Sequence, residues 1–304
     1  MLPKLRTSVI INSLRAKNID YEKIISACIH PAFTDESSIS FTEYHGHAIQ
    51  LAADAAEAGY NCIIAIGGDG TFNEVVNGAD PENNQHIIFG LIPAGTGNDF
   101  YRSIGRQFST AVFVQSLQNK VVHKYDAGIL TVNGTKRYFL NVADAGFGGH
   151  AAMLLDKQRA AGLKGGLSYN MAILRAFFSF RKPIVNIVYD HDKVLFHGKM
   201  MMLAVCNGNT FGNGLIICPD ARPDDATLGV CIIGDVGIWD YLKNYFNLRK
   251  GKKINHPDVR YSSANEISVQ IHQGNAMIEA DGEITGSGDC SFRVIPGLLK
   301  VIQS

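Results

Sequence analysis

Residues 61–78 read NCIIAIGGDGTFNEVVNG, and the fold follows from this stretch. The apolar run 61–66 predicts a strand buried on both faces, as in a parallel sheet covered by helices. Gly67-Gly68-Asp69-Gly70 then forces a turn, and TFNEVVNG predicts a short helix closed by Gly78. The same rhythm recurs at HIIFGLI (86–92), followed by Pro93-Ala94-Gly95-Thr96-Gly97-Asn98-Asp99-Phe100. Upstream, SVII (8–11) predicts a first strand. From Thr42 to Gly59, Ala48, Leu51, Ala52 and Ala55 fall at helical spacing, with Gly59 as the stop. Strand, glycine turn and helix in repetition predict an α/β domain with a parallel sheet and helices on both faces.

Around His123–Gly128 the pattern changes. AGILTV, KRYFLNVA, PIVNIVYD, KVLFHGKMMMLAVC, LGVCIIG and EISVQI all have strand character. Asn133-Gly134 and His191-Asp192 sit at hairpin turn positions between them. One helical segment, from about Leu167 to Ser179, interrupts the strands. The expectation is two domains: residues 1–122 as the α/β domain, and 123–304 as an antiparallel β-sandwich. The closing PGLLKVI is expected to return against one of them. No repeats or low-complexity linkers break the chain.

Composition narrows the function classes. The 304 residues carry 28 Lys plus Arg and 28 Asp plus Glu, so the net charge is zero and wholesale nucleic-acid binding is not expected. The six cysteines (Cys28, Cys62, Cys206, Cys218, Cys231, Cys290) form no C-x-x-C pair and sit in apolar runs, as free thiols of a reducing cytosol do. No window approaches the ~20 apolar residues that span a bilayer. The expected location is cytoplasmic.

Both glycine turns follow buried strands, at the carboxyl ends where open α/β sheets bind ligands. Glycine lets the backbone approach a phosphate, and a helix N-terminus supplies free N–H donors. Neither loop is a Walker A or G-x-G-x-x-G sequence, and a plain tight turn is the alternative for each. Thr42 and Thr96 add hydroxyls. Near the C-terminus, Glu279-Ala280-Asp281-Gly282-Glu283 offers two carboxylates flanking a glycine, suited to a general base and a metal partner, or to a solvated D-G turn. Asp224-Asp225 suits an oxygen-ligated cation or a charged loop. His45 and His47, at a helix start, read as packing or capping residues.

Taken together, GGDGTFNEVVNG (67–78), GLIPAGTGNDF (90–100), the CNG…FGNG…PDARPDD stretch (206–225) and EADGE (279–283) resemble the diacylglycerol kinase family, with its sphingosine kinase relatives. FLNVADAGFGG (139–149) resembles the start of that family's second domain. The resemblance covers nearly the whole chain, whereas GGDG alone is shared with NAD kinases and phosphofructokinases. It implies an ATP-dependent lipid kinase using Mg²⁺, with diacylglycerol the commonest acceptor and transient contact with a membrane surface. Gly67, Gly68, Gly70, Thr71 and Asn73, with Gly95, Thr96, Gly97 and Asn98, would cradle ATP, and Thr42 would touch its phosphates. Asp281 would be the general base. Asp69 would orient the nucleotide or its Mg²⁺, or serve as base itself. Asp225, through a structural Mg²⁺ and water, would link to Asp99 and Glu283.

Three departures from the family pattern stand out. The first strand is usually followed by Asn-Pro and a glycine-rich turn; here it reads Asn12-Ser13-Leu14-Arg15-Ala16-Lys17. Ala226 follows the acidic pair where glycine is usual, and would be strained if φ there is positive. Ala145 replaces a larger aliphatic residue, a change expected to be neutral. LRAFFSFRKP (174–183) and LRKGKK (248–253) combine cations with apolar residues or cluster them, which suits anionic lipid; helix packing and a solvated loop are the alternatives. The competing functions are an NAD kinase and a catalytically weak nucleotide or lipid sensor. A homodimer would cover exposed sandwich edges.

Overall fold

The computed structural model describes residues 5–13, 21–28, 34–95, 97–162, 166–190, 193–211 and 214–302. His191-Asp192, Thr96 and residues 14–17 lie outside these. The chain divides into two units, Met1–Ala127 with Pro296–Ser304 and Gly128–Ile295. In chain order the first contains β1 (Leu5–Asn12), α1 (Tyr21–Cys28), β2 (Thr34–Thr42), α2 (His47–Glu57), β3 (Cys62–Gly67), α3 (Asp69–Ala79), β4 (Ile88–Pro93), α4 (Asp99–Ser103) and α5 (Thr110–Asn119). The strands run parallel in the order β2-β1-β3-β4. β3 is buried along its whole length, as its unbroken apolar run requires. Ile11, Ile64, Ile66 and Ile92 pack with Phe113 and Leu117 of α5 in one core.

β2 was not legible as a strand. Its sequence TDESSISFT is polar because it is the edge strand of this sheet, where Ile39 and Phe41 remain about half exposed. Thr42 therefore ends a strand instead of opening the helix, which begins at His47 behind a left-handed Gly46.

The chain enters the second unit within β5 (Val122–Val132). There follow β6 (Thr135–Phe139), β7 (Val142–Gly146), α6 (Phe147–Ala160), α7 (Gly166–Ser179), β8 (Ile184–Tyr189), β9 (Lys193–Lys199), β10 (Met202–Cys206), β11 (Thr210–Phe211), β12 (Leu215–Ile216), β13 (Leu228–Ile233), α8 (Ile238–Arg249), β14 (Val259–Ala264), β15 (Glu266–Gln273), β16 (Met277–Ala280), β17 (Glu283–Ser287) and β18 (Cys290–Ile302). Asn133 and Gly134 both take positive φ, as a tight hairpin turn between β5 and β6 demands. One antiparallel sheet runs β14-β13-β10-β7-β16-β17. A second layer is built from β8, β9, β15 and the start of β18. Alternate residues of the two layers, among them Ala143, Leu203, Val230, Val185, Ile267 and Phe292, form the core between them. The expected β-sandwich is present.

Its helical content exceeds the single expected segment. α6, α7 and α8 lie over the outer face of the β7-β10-β13-β14 sheet, on Val142, Ala204, Cys206 and Cys231. KVLFHGKMMMLAVC is also two strands, broken at Met200-Met201, because β9 pairs with β8 while β10 pairs with β7 and β13. Beyond Pro296, β18 returns to the first unit and runs parallel to β4, with Lys300 beside Ile88 and Val301 beside Phe89. All six cysteines are free and buried, and burial pushes the Cys28 and Cys62 thiols up to about 12. No helix among the described residues is long and apolar enough to cross a membrane.

Candidate functional site

The parallel register brings four strand ends together in the first unit: Asn12 beside Thr42, Ile11 beside Ile66, and Gly67 beside Pro93. Both glycine loops leave from this edge. They touch backbone to backbone, since a Cβ on Gly95 would lie 2.7 Å from the Gly68 Cα. Only glycine permits that approach. The Ala94 amide donates to the Gly67 carbonyl at 2.7 Å, and the Phe100 amide to Asp69 Oδ1 at 3.0 Å. The Phe100 ring packs at 5.2 Å on Phe72, both fully buried. An apolar pair worth about 1.5–3 kcal/mol per ring thus fixes one loop against the other.

Asp69 is the first residue of α3, and Gly68 before it supplies no side chain to cap that helix. Gly70 has open space where a Cβ would stand. Asn98, left-handed at φ 50°, buries an Oδ1 with no hydrogen-bond partner among the described residues. Backbone amides at a helix start and open volume fit a nucleotide phosphate chain, whereas the orphaned Asn98 acceptor calls for a donor or a cation. Asp69 and Asp99 converge beside Gly97: a Cβ there would lie 3.2 Å from Asp69 Oδ2 and 3.6 Å from Asp99 Oδ2. Arg102 stands 3.8 Å from Asp99.

The altered first loop is tied in by its own chemistry. Asn12 Nδ2 donates to Thr71 Oγ1 at 2.9 Å, and Ser13 Oγ to the Thr42 carbonyl at 2.8 Å. Glu74, overlooked in the sequence, accepts from the Gly46 and Ala48 amides and so caps α2 from α3. Asn73 is buried, and its Oδ1 and carbonyl both accept from Asn77 Nδ2. His47 Nδ1 accepts from the Glu43 amide and its ring stacks on Tyr44, a capping and packing role.

In the second unit Asp281-Gly282 is the two-residue turn between β16 and β17, with φ of 50° and 88°. Its carboxylate is nonetheless turned onto the chain. Oδ2 accepts from Leu140 N at 2.7 Å, and Oδ1 from Asn141 N at 2.9 Å and Val142 N at 3.1 Å. The buried Asn207 braces the same segment, its amide donating to the Asn141 carbonyl and its Nδ2 to that of Leu140. Glu283 opens β17, opposite Ala280.

Behind Asp281, Glu279 faces Asp144 directly across the β16–β7 register, both buried. Burial pushes the Asp144 carboxyl up to about 6, against the pull of Glu279 and the Gly149 amide. Burial, then the Asp144 charge, raises Glu279 well above the usual carboxylate range. Both lie in motifs that the sequence marks, but their pairing was not legible there, because only strand register shows that they meet.

Asp225 is exposed, and its Oδ1 accepts from both the amide and the hydroxyl of Thr227. Asp224 pairs with Arg222. Ala226 takes φ 63°, the left-handed conformation that the usual glycine would adopt without strain. Among the described residues no three His, Cys, Asp or Glu side chains gather closely enough to hold a metal ion.

Residues 6–130 match the diacylglycerol kinase catalytic domain, and residues 141–303 the YegS C-terminal NAD kinase beta sandwich-like domain. A diacylglycerol kinase of Bacillus subtilis is 32% identical over 255 residues, covering 83% of this chain and 80% of its own. The chain belongs to the diacylglycerol kinase family. Another member, from Pseudomonas aeruginosa and named "Probable lipid kinase YegS-like", is 30% identical over 270 residues, covering 88% and 84%. A crystal structure of a diacylglycerol kinase from Bacillus anthracis shares the fold with a TM-score of 0.68 at 20% identity, covering 98% of this chain and 97% of that one. Members of this kinase family use ATP as phosphate donor. The two matched family regions fall on the α/β and sandwich parts of the fold described above.

Proposed function

We propose that this chain transfers the γ-phosphoryl group of MgATP to a hydroxyl of a membrane lipid, with diacylglycerol as acceptor and phosphatidic acid as product. One observation carries the reading: the Gly68–Gly95 backbone contact clamps two glycine loops around an uncapped helix N-terminus beside two carboxylates. That arrangement suits a phosphate chain, for which catalysis is mostly positioning and charge stabilisation. Gly67, Gly68, Gly70 and Thr71 with Gly95, Gly97 and Asn98 hold the phosphates in this reading, as Thr96 and Thr42 are proposed to do. Asp69 and Asp99 are the oxygen donors that suit the divalent cation accompanying ATP.

The acceptor oxygen forms the new bond to Pγ as the bond from Pγ to the ADP oxygen breaks, and the hydroxyl proton must leave. Asp281 is proposed to take it, with its carboxylate held by the Leu140, Asn141 and Val142 amides. Asp225 is engaged by its own turn, so a structural metal there would need ligands beyond those gathered around it, and no step is assigned to one.

The test is transfer of labelled γ-phosphate from ATP to diacylglycerol in mixed micelles, beside other lipid alcohols and NAD. Labelled phosphatidic acid is the expected product; labelled NADP with no lipid product would replace the reading by NAD kinase. In the same assay Asp281→Asn is expected to abolish turnover with ATP affinity nearly unchanged. An amide nitrogen in place of either oxygen would face one or two of these backbone N–H groups and cost stability, about 1–3 kcal/mol, so turnover is compared well below each melting temperature. Turnover retained by the folded variant would remove Asp281 from the base role.

A further inference from the structure

α7 and α8 each present two apolar faces. One face of each packs on the outer side of the sandwich sheet: Ala176 and Phe177 from α7, Tyr241, Tyr245 and Leu248 from α8. The helices meet where the Phe177 and Tyr241 rings lie 5.3 Å apart. Their opposite faces should be polar in a helix that borders water. Instead Met171, Leu174 and Phe178 on α7, and Trp239, Leu242 and Phe246 on α8, are exposed at the same i, i+3, i+7 spacing. Phe178, Trp239 and Phe246 are 80%, 79% and 69% exposed. These three rings alone leave on the order of 400 Å² of apolar surface in water, the size that marks an interaction face. Both helices cover the same sheet, so both stripes point away from it.

Charge selects the occupant. Residues 166–182 and 238–253 hold eight Lys and Arg (Arg175, Arg181, Lys182, Lys243, Arg249, Lys250, Lys252, Lys253) against one acid, Asp240, in a chain whose net charge is zero. A cleft of about 720 Å³ opens at the C-terminal end of α7, lined by His150, Ser179, Arg181, Lys182, Lys199 and Asn275 among others. Lys182 is held there by Asp235 at 2.5 Å. Aromatic side chains flanked by cations, with a tryptophan at the edge, are the chemistry of a protein that lies on an anionic bilayer without crossing it.

We infer that the twin stripe of α7 and α8 is the face on which this protein seats on an anionic membrane, with its aromatic rings among the acyl chains and its cations at the headgroups. The lipid-kinase reading gives this seating its purpose, while the binding itself does not depend on turnover. Trp239 is the one tryptophan in the chain and stands on the stripe, so its emission reports the contact directly.

The experiment titrates the full chain with vesicles of phosphatidylcholine containing roughly one-third phosphatidylglycerol, and with phosphatidylcholine alone, reading Trp239 emission and co-flotation. Expected are a blue shift and flotation with the anionic vesicles, weakened by salt. The Phe178→Ser and Phe246→Ser variants, altered only at exposed positions, should each bind about tenfold more weakly or worse, while phosphorylating a short-chain, water-soluble diacylglycerol as wild type does. Unchanged emission and no flotation with anionic vesicles would overturn the inference. So would a blue shift that needs only higher protein concentration, since the face would then be covered by a second copy. Vesicle binding without turnover on any lipid would uphold the seating and sink the kinase reading instead.

Discussion

At Gly70 a Cβ would meet nothing within 4 Å, whereas at Gly95 it would meet the Gly68 backbone at 2.7 Å. The two glycines therefore separate folding from binding. Gly70→Ala should keep or slightly raise the melting temperature, since alanine favours the first turn of α3, yet should weaken ATP binding by tenfold or about that if phosphates occupy the space. Gly95→Ala should lower both. Calorimetry beside ATP titration checks this, and full ATP affinity in Gly70→Ala would place the nucleotide elsewhere. Ala226 poses the reverse case. Its left-handed φ of 63° costs about 1 kcal/mol that glycine would not incur, so Ala226→Gly should raise the melting temperature by about 2–4 °C. An unchanged or lower value would mean that the turn gains as much from the alanine side chain as it loses in strain. The sequence made this position visible only through the family pattern; the sign of φ came from the folded turn.

The β16–β17 hairpin shows how a short element serves two purposes. Its D-G turn is the solvated turn that composition suggests, and the turn also aims Asp281 at three amides of the segment joining β6 to β7. One pleat away, Glu279 meets Asp144, and the two buried carboxyls favour holding a proton. Both groups titrate above their ordinary values, 3.8 for Asp and 4.5 for Glu, so the native state binds more protons than the unfolded chain. Their contribution to stability is then complete below about pH 4 and is lost as pH rises through 6 and beyond. Glu279→Gln removes one of these titrations and supplies an amide donor to Asp144. Relative to the variant, wild type should lose roughly 1–3 kcal/mol between about pH 4 and pH 8. Melting curves across that range measure it, and a pH-independent difference would show that the pair holds no shared proton. Helix α8 makes a further point at this scale. IWDYLKNYFNLR has apolar residues on both faces, so simple amphipathic periodicity passes over it, and the exposed half became apparent only once the buried half was seen against the sheet.

For the whole molecule, the sequence by itself determined the alternation of buried strand, glycine turn and helix in the first part, a change of pattern around residues 123–128, and the two glycine loops. These are local properties: a run such as CIIAI can satisfy its apolar faces only inside a covered sheet, and glycine in a tight turn reflects the backbone at that residue. What only the tertiary structure decided depends on neighbours far apart in the chain. β2 is polar because it lies at a sheet edge, a position no window of its own sequence reveals. KVLFHGKMMMLAVC divides between two layers because its halves find different partners. Asn12 reaches Thr71, Asp144 reaches Glu279, and Phe178 and Trp239 stay in water while their helix neighbours are buried. Local propensity sets the elements and their turns; side-chain pairing, the meeting of two buried carboxyls and the exposed apolar face depend on register and packing, which exist only once the chain is assembled.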